Sequence, residues 1–243
     1  MKKIITTCLV ALFLVFSMFA AGEKDIVKTN AGDLEITCIG HASLMFTFNG
    51  MVIYVDPFSM TADYSKLPKA DLILITHQHS DHMDQQAIDK IKKEDTIFIL
   101  TKKCSETMKG IVMNNGDVKE IKKLKIEAVP AYNIVQMRTG GMPFHPKGEG
   151  NGYIITFGDK RVYVAGDTEN TPEMKALKDI DIAFLPVNMP YTMDEDMVLD
   201  AIKAFKPKIL YPYHFQFGTS RLPQLEEKMK DIADIELRVR NRK

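Results

Sequence analysis

An α/β fold of two sheets packed together under covering helices is what this chain predicts. The first third reads as meandering strands, and the last third alternates helix and strand patterns. Roughly 220 residues follow an N-terminal leader, a length that suits one large domain with a substantial core. No proline- or glycine-rich linker, low-complexity run, charge block or sequence repeat divides it.

The leader comes first in the chain. Lys2 and Lys3 precede an apolar run over residues 4–19, and Ala20-Ala21-Gly22 supplies small residues before Glu23-Lys24-Asp25. That is the form of a secretory signal peptide. The alternative is a retained anchor, because about 18 apolar residues can just span a bilayer. Cys8 sits inside the run rather than after it, which argues against lipid attachment at the cleavage site. The expected organisation is a signal peptide at 1–22 and a single domain at 23–243. Its address would be periplasmic or extracellular in a bacterium, without stable membrane insertion after cleavage.

Cleavage leaves 30 of the 32 basic residues against 32 acidic ones, a net charge of −2. There is no electrostatic footprint for nucleic acid. The basic end, from Arg238 onward, is short and reads as a solvated tail. Cys38 and Cys104 would survive cleavage, and export leaves a disulfide and two separate buried thiols equally open.

Strands are predicted at 34–39, 43–48 and 52–55, with Asn49-Gly50 as a hairpin turn. Asp71-Leu72-Ile73-Leu74-Ile75 is short, β-branched and preceded by Pro68, so it reads as a buried strand. Asp84 can cap a helix that puts Ile88 and Ile91 on one face. A strand at 97–100 follows, and the spacing of Cys104, Met108, Ile111 and Val112 predicts a helix. Further strands are expected at 125–129, 153–157, 161–165 and 182–185. Thr192-Met193-Asp194-Glu195 fits a capping box ahead of an inward stripe of Met197, Val198, Ala201, Ile202 and Phe205. Pro223 suits the first turn of a last helix carrying Leu225, Met229 and Ile232.

Between the predicted strand at 71–75 and the helix lies Thr76-His77-Gln78-His79-Ser80-Asp81-His82. Three of the six histidines and one carboxylate fall within six positions. Neutral imidazole and carboxylate are the ligands that first-row divalent ions such as zinc prefer. One loop would leave such ions under-coordinated, but other strand-to-loop junctions offer His145, Asp167 and His214. Taken singly, these three read as satisfied histidines and a turn aspartate, and Asp81 as a helix cap.

The order His-x-His-x-Asp-His, then His145, then Gly166-Asp167-Thr168, then His214 resembles the metallo-β-lactamase-fold hydrolases. More narrowly, Gly40-His41-Ala42-Ser43, Asp56-Pro57, His145-Pro146-Lys147-Gly148 and Tyr191-Thr192-Met193 resemble the ascorbate-6-phosphate-lactonase-like branch. The resemblance spans roughly residues 34–217 and implies the αβ/βα four-layer sandwich, with a metal site at one edge between the sheets. It implies that His77, His79 and His145 hold one ion, that Asp81, His82 and His214 hold a second, and that Asp167 bridges them. The ions would be two divalent metals, zinc with manganese as the alternative. Two such ions about 3.5–4 Å apart share a water and lower its pKa from 15.7 toward ~7. A serine or cysteine nucleophile is then unnecessary, and no Gly-x-Ser-x-Gly elbow or phosphate loop is present. Asp81 is the catalytic candidate, orienting the hydroxide and relaying its proton. His41 stays outside the metal set, lining the pocket or bonding the opening strand.

The implied substrate is a small ester, lactone or phosphodiester. Asn188-Met189-Pro190 stands where the branch carries a glycine pair, a departure that argues against carrying over the lactonase substrate itself. Tyr132, Lys147 and Tyr191 are the expected substrate contacts. The alternative to an enzyme is a metal-binding, non-catalytic scaffold of the same fold. Nothing in the chain specifies a partner beyond a small molecule.

Overall fold

Two strand-rich halves follow one another along the chain. The computed structural model describes residues 23–215 and 219–240, so the expected signal peptide at 1–22 lies outside the described residues. The first half contributes β1 (Glu23–Thr29), β2 (Gly32–Gly40), β3 (Ser43–Phe48), β4 (Met51–Val55), β5 (Leu72–Leu74), β6 (Ile97–Leu100) and β7 (Ile111–Val112), hydrogen-bonded in that order. Strands β1 to β4 form an antiparallel meander, and β4 to β7 run parallel. Asn49 and Gly50 both take positive φ, 49° and 78°, as the tight turn joining β3 to β4 requires.

The second half adds β8 (Val118–Ile121), β9 (Leu124–Ala131), β10 (Gly150–Phe157), β11 (Lys160–Val164), β12 (Ile182–Pro186), β13 (Asn188–Met189), β14 (Ile209–Tyr213), β15 (Thr219–Ser220) and β16 (Glu236–Leu237). Its sheet is ordered β16-β14-β12-β11-β10-β9-β8, while β13 and β15 pair separately. Again four antiparallel strands, β8 to β11, are followed by parallel ones. The helices are α1 (Gln85–Ile91), α2 (Pro172–Lys175), α3 (Glu195–Phe205) and α4 (Leu222–Met229).

Side-chain alternation along the strands sets the layers. Leu72 and Leu74 of β5 join Ile182 and Phe184 of β12 in the core between the sheets. Ile73 and Ile75 face outward onto Ile88 and Ile91 of α1, whereas Ala183 and Leu185 face Val198, Ile202 and Leu225 of α3 and α4. Helix, sheet, sheet, helix is the expected four-layer sandwich. Strands buried on both faces read as continuous apolar runs, which is why 71–75 and 182–185 were legible.

Several local expectations are corrected. Cys104–Glu106 is a single 3₁₀ turn, and Ile111–Val112 is a strand rather than helix. A Cβ at Gly110 would lie 2.7–2.9 Å from Leu100 and Phe98, a close approach that seats the β-branched pair beside β6. Helix α3 is capped by Asp194, whose side chain accepts from Met197 N. Thr192 cannot serve, because its hydroxyl is held by Asn188 N and O. Glu195 instead takes two hydrogen bonds from Arg221. The basic end is not free in solvent: Arg240 grips Asp25 of β1 at 2.8 and 3.0 Å, and Arg238 holds Glu236 and the Tyr211 hydroxyl. Cys38 and Cys104 form no disulfide with each other and are buried in different clusters. Strands β1, β8, β13, β15 and β16 and helix α2 had no assignment from sequence.

Candidate metal centre

The expected ligands come together at one edge of the sandwich, where strand ends of both sheets meet. After β5, the amides of His82 and Met83 donate to His79 O at 3.0 and 2.8 Å, closing a turn that projects the cluster inward. After β11 the chain turns at Gly166, whose φ is 68° and whose missing Cβ would lie 3.0 Å from both Asn151 O and Thr76 Cβ. Only glycine meets both conditions, so Gly166 aims Asp167 into the site. After β14, His214 donates its amide to His41 O at 2.8 Å, tying the two sheet edges together. His145 arrives from the long connection between β9 and β10.

Two groups of nitrogens face the two oxygens of Asp167. His77 Nε2 is 3.0 Å from His79 Nδ1. Asp167 Oδ2 lies 3.3 Å from His145 Nε2 and 4.0 Å from His77 Nε2. On the other side, His82 Nε2 is 3.1 Å from His214 Nε2, and Asp167 Oδ1 lies 3.4 and 3.3 Å from these two. Asp81 Oδ2 completes that group at 3.6 Å from His82 Nε2 and 3.7 Å from His214 Nε2. Ligands 2.0–2.1 Å from a tetrahedral ion stand about 3.4 Å apart, so these spacings suit coordination.

The surrounding hydrogen bonds set the tautomers. Asp56, fully buried after β4, accepts from His82 Nδ1 at 2.8 Å, Thr76 Oγ1 at 2.6 Å and Thr76 N at 2.8 Å. The Thr76 hydroxyl thus spends its proton on Asp56 and must accept from His77 Nδ1, 3.0 Å away. Asn133 Oδ1 accepts from His145 Nδ1 at 2.7 Å. His77, His82 and His145 therefore each hold a proton on Nδ1 and aim Nε2 inward, as ligating histidines do, and on His82 a metal would take the place of the second proton.

The charge balance points the same way. Among the described residues, the only basic groups within 4.0 Å of Asp56, Asp81 and Asp167 are imidazoles. Burial pushes His77 well below the usual histidine range, and pushes His41 and His79 down to about 4. Burial opposes charge on His82 too, but the carboxylates of Asp167 and Asp56 outweigh it and hold its pKa well up. Asp167 and Asp81 stay ionised despite burial, because the neighbouring imidazoles hold them far below the carboxylate range. His145 Nε2 and Asp167 Oδ1 are buried with no hydrogen-bond partner. Buried anions, orphaned lone pairs and a nitrogen–oxygen donor set fit divalent metal ions.

A cavity of about 460 Å³ opens onto His79, Asp81, His145, Asp167 and His214. Its walls include His41, Asn188, Arg138, Phe144 and Tyr191. Of the three expected substrate contacts, Tyr191 lines the cavity. Tyr132 and Lys147 do not line the cavity: Glu173, in the first turn of α2, accepts from the Tyr132 hydroxyl at 2.9 Å and from Lys147 Nζ at 2.8 Å. The Lys147 ammonium lies 4.7 Å above the Tyr132 ring. His41 lines the cavity, and its Nε2 is 2.9 Å from Asp81 Oδ2. Sequence reading missed the orienting roles of Asp56, Thr76 and Asn133; an aspartate closing an apolar strand was the available signal for the first. Arg138 gave no signal in its loop.

Comparison with known proteins agrees with this geometry. The family described as Beta-lactamase superfamily domain matches residues 35–214. A UPF0173 metal-dependent hydrolase of Nanoarchaeum equitans is 32% identical over 190 residues, covering 75% of this chain and 84% of that protein. A crystal structure from Parabacteroides distasonis, described as a metal-dependent hydrolase, is 49% identical with a TM-score of 0.84, covering 90% of this chain and 98% of the other. Igni18, a metallo hydrolase of Ignicoccus hospitalis, is 25% identical with a TM-score of 0.70, covering 85% and 94%. By this match over most of its length, the chain belongs to the β-lactamase superfamily domain family, on a metallo-β-lactamase fold.

Proposed function

We propose that this protein is a binuclear metal-dependent hydrolase of a small ester, lactone or phosphodiester. The observation that supports it most is the placement of Asp167, with one carboxylate oxygen toward His77 and His145 and the other toward His82 and His214. The relatives named above as metal-dependent hydrolases favour the same reading. His77, His79 and His145 would hold one ion, Asp81, His82 and His214 the other, and Asp167 both. Bound zinc or manganese would supply Lewis acidity and lower the pKa of water at the site from 15.7 toward ~7.

The chain's own groups do the rest. Asp56 and Asn133 hold the imidazoles in their ligating tautomers, and the cavity orients the substrate. Asp81, its Oδ2 steadied by His41 Nε2 at 2.9 Å, orients the attacking water and relays its proton. As the new bond to carbon or phosphorus forms and the ester oxygen departs, that proton passes from Asp81 to the leaving oxygen. Residues 1–22 complete the reading as a cleaved export signal, delivering the domain at 23–243 to the periplasm or medium.

Elemental mass spectrometry of the purified protein should find close to two zinc or manganese ions per chain. Asp81→Ala should abolish turnover of a panel of lactones, esters and phosphodiesters while circular dichroism stays native. A wild type that binds metal yet turns over nothing in the panel would favour a non-catalytic scaffold. Essentially no metal uptake would end the hydrolase reading.

A further inference from the structure

Five arginines lie among the described residues, and four of them are tied to carboxylates: Arg161 to Glu127, Arg221 to Glu195, Arg238 to Glu236 and Arg240 to Asp25. The fifth, Arg138, has no carboxylate within 4.0 Å among the described residues, and it lines the cavity over the candidate metal centre. We propose that Arg138 seats an anionic group of the substrate, a carboxylate or a phosphate, away from the bond that is cleaved. This rests on the hydrolase reading for the word substrate, but not for the anion site itself.

The residue is exposed, yet its loop is built to hold it. The buried Glu169 carboxylate accepts from Ile134 N, Val135 N and Gln136 N at 2.8, 2.8 and 2.6 Å and from Asn133 Nδ2 at 3.1 Å, pinning the base of the loop. The same Asn133 positions His145, so loop and metal centre share one anchor. Across the loop, Arg138 N donates to Met142 O at 2.7 Å, and Met137 bridges Pro143. The guanidinium itself donates from Nη2 to Phe144 O at 3.3 Å and lies 5.1 Å from the Phe144 ring centroid. One edge of the fork is thereby fixed, and the remaining N–H groups are left for a planar oxyanion, which a guanidinium can meet with two parallel bonds.

Among the charged side chains that line the cavity, Arg138 is the cation and Asp81 and Asp167 are the anions. Phe144 packs edge-on against Tyr191 with centroids 5.1 Å apart, and both rings line the cavity beside Arg138. The matching molecule therefore pairs one oxyanion with an adjoining apolar or aromatic portion.

Titration calorimetry on the metal-loaded full chain tests this with three probes: 4-phenylbutanoate, phenylphosphonate and the neutral 4-phenylbutanamide. The wild type should prefer at least one anion to the amide. Arg138→Gln should reduce that anion-to-amide affinity ratio tenfold or more, and Arg138→Lys should fall between them because it keeps charge but loses the fork. A change confined to phenylphosphonate assigns a phosphate, and one confined to 4-phenylbutanoate a carboxylate. Ratios equal within twofold in wild type and Arg138→Gln, absence of binding included, overturn the proposal. Anion binding to the metals alone would give that result. Should the ratio fall while no ester, lactone or phosphodiester is hydrolysed, the anion seat stands and the hydrolase reading fails.

Discussion

Asp56 touches no substrate, yet replacing it by asparagine should damage both the fold and the metal centre by amounts the structure allows to be worked out. Its Oδ1 accepts from Thr76 N, and its Oδ2 accepts from Thr76 Oγ1 and His82 Nδ1, all within 2.8 Å and fully buried. An asparagine amide must turn its NH2 toward one of these donors. If it faces Thr76 N, two buried N–H groups collide and one goes unsatisfied, at about 1–3 kcal/mol. If it faces His82, the imidazole must move its proton to Nε2, the atom 3.1 Å from His214 Nε2. A protonated Nε2 cannot bind a metal, and loss of such an outer partner typically weakens metal affinity about 10–100-fold. That corresponds to roughly 1.4–2.7 kcal/mol. Chelator competition on Asp56→Asn should show the affinity loss, and urea unfolding of the metal-free protein should show about 2 kcal/mol of destabilisation. Metal affinity within twofold of wild type, with unchanged unfolding, would refute the tautomer argument.

Three further outcomes are expected. Asp167→Asn should release metal from both halves of the site, read as metal per chain, because Oδ1 and Oδ2 each face a separate nitrogen group. Phe184→Ala should cost about 3–5 kcal/mol in chemical denaturation, since this fully buried ring stacks on Tyr211 at 4.7 Å and meets Phe46 of the other sheet at 5.9 Å. Hydrogen bonds from Arg221 hold Glu195 down at about 2, below its ordinary 4.5. The unfolded chain therefore binds the extra proton between those values, so the stability present above pH 4.5 is lost as pH falls toward 2. Comparing acid unfolding of wild type with Glu195→Gln should show that slope removed, together with about 1–2 kcal/mol of neutral-pH stability.

The residues that were legible in the sequence are those whose chemistry or periodicity is local. His77, His79, Asp81 and His82 announce themselves by spacing, and β5 and β12 by unbroken apolar runs buried on both faces. His145 and His214 carry no local signal and depended on their order relative to the rest. What stayed hidden is set by contacts distant in sequence. Lys147 looks like a ligand-binding cation until Glu173, from another element, is seen to hold it. Thr192 looks like a helix cap until Asn188 is seen to occupy its hydroxyl. Arg138 looks like loop decoration because what distinguishes it is the absence of a carboxylate that every other described arginine has found.

The absence of a sequence repeat conceals a repeat of strand order that explains where the site lies. In each sheet four antiparallel strands are followed by parallel ones, so β4 and β11 are equivalent: each is antiparallel to its predecessor and parallel to its successor. An acid follows each, Asp56 directly after β4 and Asp167 three residues beyond Val164, the end of β11. In open α/β sheets ligands collect at the carboxyl ends of strands where the topology switches, because loops leave there in different directions. Packing two such sheets face to face brings two switch points, and their two aspartates, to one edge. Their fates then diverge through one local difference. Val55 leads directly into Asp56, whose φ of 46° turns its carboxylate back onto the Thr76 amide and His82 Nδ1. Ala165 and Gly166 separate Asp167 from its strand, Gly166 at positive φ, and that carboxylate points into the space between the imidazoles. One acid thus orients the nitrogens and the other faces them, a division of labour that follows from two further residues, Ala165 and Gly166, between strand and acid rather than from different folds.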